Sequence, residues 1–89
     1  MIDIGHDHKI QFVTYKGDSR AGLNDFHKKP DGSDCGGFIT FAGSAWANEF
    51  TDLQVWQVQS WEPLTLTPSL LCRTCGNHGF IRDGKWVPA

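Results

Sequence analysis

Short stretches of alternating apolar and polar residues, separated by glycine and proline, run the length of this chain, and none keeps a helical period for long. Residues 9–15, Lys-Ile-Gln-Phe-Val-Thr-Tyr, are β-branched and aromatic and predict a first strand. Residues 16–37 are polar and carry Gly17, Gly22, Pro30, Gly32, Gly36 and Gly37, which predicts a long loop. Loops of that length inside a compact domain are usually functional or mobile. A helical turn within 21–29, capped by Asn24 or Asp25, fits inside it.

Residues 37–42 predict a second strand with both faces at least partly covered. Trp46 and Phe50 stand four apart, the spacing of one face of a short helix. Residues 53–61 are β-prone but alternate imperfectly, which predicts a third strand with room for a bulge. Leu64-Thr65-Leu66-Thr67 alternates strictly between Pro63 and Pro68 and predicts an edge strand, because proline cannot donate to a ladder. Phe80-Ile81-Arg82 and Lys85-Trp86-Val87 flank Asp83-Gly84, the pair that suits a type I′ hairpin turn. The fold class is therefore mainly β: a small zinc-stabilised antiparallel sheet with a long polar loop and one short helix, in a single domain over 1–89.

Size sharpens that picture. A chain of 89 residues buries only about 60 to 65% of its unfolded surface, so a metal staple would add needed stability. Four tryptophans, six phenylalanines and one tyrosine supply bulk for a compact core. The net charge of −2 does not point to nucleic acid, which calls for a basic face. An odd cysteine count and the absence of a leading apolar run lead us to expect a cytoplasmic protein in a reducing compartment. No stretch has the ~20 apolar residues of a membrane helix.

The candidate chemistry gathers in Cys72-Arg73-Thr74-Cys75-Gly76-Asn77-His78. Cys-x-x-Cys in a turn directs two sulfurs at one ion, and a histidine three residues on offers a third donor. A single Cys-x-x-Cys excludes a two-pair ribbon, so a further ligand must come from far away in sequence. Cys35, followed by Gly36 and Gly37, is the leading candidate, with His6, His8 and His27 as competitors. The expected centre is one structural zinc on Cys35, Cys72, Cys75 and His78. The competing reading is a redox pair or simple buried thiols. Redox Cys-x-x-Cys opens a helix, whereas strands flank this one.

Residues 63–72 and 75–86 together resemble a group of small uncharacterised proteins of bacteriophages and bacteria, which combine a Pro-Ser step, a Cys-x-x-His element and a terminal hairpin. By that resemblance Cys75 and His78 match the group's metal-ligand pair, and Cys35-Gly36 matches an earlier Cys-Gly element. The group commonly has several close cysteines in its first half; this chain has Cys35 alone there and Cys72 nearer the pair. The resemblance implies a zinc-site fold and a phage source, and no activity.

By elimination, the expected function is a non-enzymatic zinc module that binds a protein partner, a phage accessory factor in the host cytoplasm. A nucleic-acid-binding knuckle is the alternative, with Arg73, Arg82 and Lys85 near the metal and Phe80 or Trp86 to stack a base. A small metal-dependent hydrolase is the third, with His6, Asp7 and His8 as donors beside an open coordination position. No nucleophile elbow or phosphate loop is present.

Overall fold

The computed structural model describes all 89 residues. Its elements are β1 (Ile2–Gly5), β2 (His8–Tyr15), β3 (Asp18–Lys28), β4 (Asp34–Thr40), α1 (Ala45–Glu49), β5 (Gln57–Trp61), β6 (Leu64–Thr67), β7 (Leu70–Leu71), β8 (His78–Arg82) and β9 (Lys85–Pro88). They form three antiparallel sheets, ordered β1-β2-β3-β4, β5-β6 and β7-β8-β9. The mainly β class and the single short helix are as the sequence predicts.

The long loop is not. Within 16–37 the chain forms β3, an 11-residue strand at the interior of the largest sheet, and β4 already begins at Asp34. Ala21, Leu23, Asp25 and His27 are its buried face, a period of two running from Ala21 to His27 with Gly22 covered as well. Two of those four side chains are polar, which hides the alternation from a hydrophobicity reading. The helical turn expected at 21–29 is likewise strand, and Asp25 is a buried partner of His8, not a cap. The expected strand over 53–61 is shorter, Gln57–Trp61, with its register to β6 shifting between Val58 and Ser60 where a bulge was allowed for, while Trp56 makes an isolated parallel bridge to Phe41.

Strands β1 and β7 lie where the sequence predicts none, whereas α1 and the β8–β9 hairpin lie where it predicts them. Ser44 caps α1 by accepting a 3.1 Å bond from the Ala47 N–H. Asp83 and Gly84 have φ of 52° and 75°, the two left-handed residues of a type I′ turn between β8 and β9. That turn is tied to β6 through Gly84 N–H to Leu64 O at 2.9 Å and Asp83 N–H to Thr65 Oγ1 at 3.0 Å.

The core lies where the three sheets meet. Ile4, Ile10, Leu23 and Ile39 come from the first sheet, Leu64 and Leu66 from the second, and Leu70, Ile81 and Trp86 from the third. Phe41 and Trp56 join them from the segment between. Trp61 instead remains 42% exposed, against Phe12, Phe41 and the Arg20 guanidinium. No helix is long and apolar enough to cross a membrane.

Candidate active site and metal centre

Strand register builds the first half of the site. His27 on β3 lies opposite Cys35 on β4, so the two side chains share a face. One step beyond the Lys9–Phe26 pair on the other side, His8 stands beside His27, with ring centroids 5.0 Å apart. The β7–β8 connection supplies the rest. Cys72 N–H donates to Asn77 O at 2.8 Å and Gly76 N–H to Cys72 O at 2.7 Å, closing a tight loop that turns through Gly76 at φ 79°.

This loop brings Cys72 and Cys75 against His27 and Cys35, and the four donor atoms lie within 4.8 Å of one another. Cys35 Sγ is 3.6 Å from Cys72 Sγ, and His27 Nε2 is 3.2 Å from Cys75 Sγ. All three cysteines are free thiols. Burial, then the Cys72 and Cys75 thiols beside it, push the Cys35 thiol up to about 11. Burial also pushes Cys72 up, but the N–H groups of Cys75 and Thr74 and the Cys75 and Cys35 thiols outweigh it and bring Cys72 down to about 6. Sulfurs this close share negative charge poorly, and a cation among them removes the conflict. Three sulfurs and one imidazole can hold a metal ion.

A carboxylate lies behind the imidazole. Asp25 Oδ2 is 3.4 Å from His27 Nδ1, and Asp25 Oδ1 is 2.8 Å from His8 Nδ1. His8, Asp25 and His27 are all buried, and the His8 ring stacks on Trp86 at 3.7 Å and 11°. At 3.4 Å the Asp25 carboxylate makes no hydrogen bond to His27 Nδ1, but its charge favours a proton on that nitrogen, which leaves Nε2 for the metal.

His78 is elsewhere. The sequence predicts it as a ligand with Cys35, Cys72 and Cys75; the structure gathers the three cysteines around His27, and the His78 side chain points to Ser69. The strand explains the difference. His78 opens β8 opposite Leu71, whose side chain is exposed, whereas Leu70 points into the core. Ser69, two residues before Leu71, shares that outer face and meets His78 on the diagonal. His78 Nε2 is 2.9 Å from Ser69 Oγ.

Of the four histidines, His78 alone reaches a serine hydroxyl; His8 bonds Asp25, His27 meets Cys75, and His6 is exposed in the β1–β2 turn. Among the other serines, Ser44 Oγ caps α1 and Ser33 Oγ donates to Asp31 at 2.6 Å. Ser69 is further held by Trp56 Nε1–H, which donates to its carbonyl at 3.1 Å. Ser69 is half-buried and His78 exposed, so the pair is open to a macromolecule. The sequence alone does not single out Ser69. The signal was its position nine residues before a histidine across a Cys-x-x-Cys turn, legible only once that turn is read as a hairpin.

A β domain with an accessible serine–histidine pair on a hairpin has the makings of a serine hydrolase. A family model described as bacterial ubiquitination-like system serine protease (BubE) matches residues 34–89, a span that contains Ser69, His78 and all three cysteines. The chain belongs to this family. No curated protein and no solved structure matches it. The family overturns the expectation of a non-enzymatic binding module, since its members are described as proteases; the hydrolase alternative agrees better. The resemblance to a small bacterial group holds at that level.

Proposed function

We propose that this protein is a serine peptidase acting within a bacterial ubiquitination-like system, with Ser69 as nucleophile and His78 as general base. The observation that carries the reading is the 2.9 Å approach of His78 Nε2 to Ser69 Oγ on an open face of the β7–β8 hairpin. A serine hydroxyl is a weak nucleophile until a base takes its proton in the transition state. Ser69 Oγ attacks the substrate carbonyl carbon while its proton passes to His78 Nε2. The same proton then goes to the departing amine, the C–N bond breaks, and an ester on Ser69 remains. Water, deprotonated by His78, attacks that ester, releases the acid and restores the Ser69 hydroxyl. No carboxylate bonds His78, so the two residues act as a dyad, oriented by the hairpin and by the Trp56 bond to Ser69 O.

The cysteine cluster has a different task. Zinc is the ion that fits Cys35, Cys72, Cys75 and His27. With Zn–S near 2.3 Å, a tetrahedron has sulfur–sulfur edges of about 3.7 Å, against the 3.6 Å between Cys35 and Cys72. Four protein ligands close the coordination shell, the pattern of structural zinc. The ion would clamp the loop joining β7 to β8 onto the first sheet. The partner implied is the protein that Ser69 cleaves.

The test is hydrolysis of p-nitrophenyl acetate by the wild type, Ser69→Ala and His78→Ala. Ser69→Ala is expected to reduce turnover to background, and His78→Ala to lower it roughly 10²- to 10⁴-fold, the usual contribution of a general base. Full activity in Ser69→Ala would overturn the assignment.

A further inference from the structure

The sheet β7-β8-β9 buries one face and leaves the other bare. Leu70, Ile81 and Trp86 point into the core, so the pleat turns their neighbours outward. On that outer face Leu71 lies opposite His78, Phe80 opposite Val87 and Arg82 opposite Lys85. Leu71 is 55% exposed, His78, Arg82 and Lys85 are exposed, and Phe80 is half-buried. The Ser69–His78 pair therefore stands at one end of an open strip, and the Arg82–Lys85 pair at the other. His78, Phe80 and Arg82 follow one another down it: the first two ring centroids are 6.4 Å apart, and the Arg82 guanidinium lies 3.9 Å over the Phe80 ring. From His78 to Arg82 the strand covers roughly 13 Å, the reach of about four extended residues.

The cationic end of the strip lacks a counter-charge. Like charges directly opposite each other on a sheet are destabilising, and neither Arg82 nor Lys85 forms a salt bridge; the ion pairs of the chain involve His8, Lys16, His27 and Lys28. No residue of β7, β8 or β9 is acidic, and Asp83, in the turn between the two cations, pairs with neither. Stacking on Phe80 holds the Arg82 guanidinium on the face that carries His78. On a chain of net charge −2, two adjacent cations are thus left uncompensated beside the reacting pair. A carboxylate from outside would relieve their repulsion, and complementary charge of this kind selects partners more than it binds them tightly.

We propose that the outer face of the β7-β8-β9 sheet is the substrate-binding strip of the Ser69–His78 centre, taking an extended polypeptide segment with an acidic side chain roughly four residues from the cleaved bond. This rests on the peptidase reading above and adds the substrate class to it. Leu71, opposite His78, is the apolar floor beside the cleaved bond, and Arg82 and Lys85 receive the carboxylate.

The experiment treats the intact protein with internally quenched dodecapeptide mixtures, randomised except at one position fixed as Glu, Gln or Lys. Mass spectrometry locates the cleaved bond, the fixed position is walked along both sides of it, and active enzyme is counted by titration with a small fluorophosphonate. At low salt, Glu is expected to be favoured over Lys by on the order of five- to tenfold in kcat/KM at a position roughly three to five residues from the bond. Added salt should shrink that ratio, because the cations are exposed. Arg82→Gln combined with Lys85→Gln should bring it near one, and Arg82→Glu combined with Lys85→Glu should invert it. Because the readout is a ratio, a general loss of rate cancels. No preference for Glu in the wild type, or a preference unchanged in Arg82→Gln/Lys85→Gln, would overturn the proposal. Cleavage of none of the peptides by enzyme that titrates fully would overturn it too. Failure to titrate at all would instead overturn the Ser69–His78 reading, and the strip with it.

Discussion

Replacing His27 by alanine separates the proposed metal site from the proposed Ser69–His78 pair. Structural zinc contributes an apparent 10–16 kcal/mol to a small domain at neutral pH, so one of four ligands accounts for roughly 3 kcal/mol, about a hundredfold in affinity. That is large beside the whole stability of a chain of 89 residues, about 4–13 kcal/mol. His27→Ala should therefore lose metal at chelator concentrations the wild type withstands, and its melting temperature should fall sharply. His78→Ala should keep both, because its ring meets Ser69 and takes no part in the cluster. The assay is competition with a chromophoric zinc chelator, followed by metal analysis and thermal melts of each variant. Metal retained by His27→Ala and lost by His78→Ala would refute the assignment and restore His78 as the ligand.

Further outcomes concern the surroundings of these two centres. Asp25→Asn should weaken zinc binding roughly 10- to 100-fold in the same competition assay, because the negative charge 3.4 Å from His27 Nδ1 is gone. Gly79→Ala should cost about 1–3 kcal/mol in denaturant unfolding, since a Cβ there would stand 2.5 and 2.6 Å from Trp86 ring atoms. Zinc binding should release protons. At pH 7 Cys35, pushed up to about 11, must give up its proton, whereas Cys72, near 6, is already mostly ionised. Below pH 6 Cys72 also carries a proton, so release increases and affinity falls as pH falls; calorimetry in buffers of different ionisation enthalpy reads this directly. Constant proton release between pH 7 and pH 5 would contradict it.

How much of this was legible in the sequence depended on local signals. The β8–β9 hairpin was readable because Asp83-Gly84 names its own turn, and β6 because two prolines bracket a strict alternation. Strand β3 was not, because its buried face ends in Asp25 and His27, polar residues present for each other and for the cysteines. Missing β3 hid the His27–Cys35 pairing that register imposes. Cys35, Cys72 and Cys75 were named as donors from their chemistry and spacing. His78 was grouped with them because a three-residue interval looks the same in sequence wherever the side chain turns. Only the β7–β8 pairing shows it facing Ser69.

The central claim is that Ser69, activated by His78, is the reacting group. Its most direct test is treatment of the intact protein with a small fluorophosphonate, followed by mass spectrometry of the modified peptide. The account predicts one adduct per chain, on Ser69, whose formation slows strongly in His78→Ala. An unmodified Ser69 in folded, metal-loaded protein, or an adduct on another serine, would contradict it.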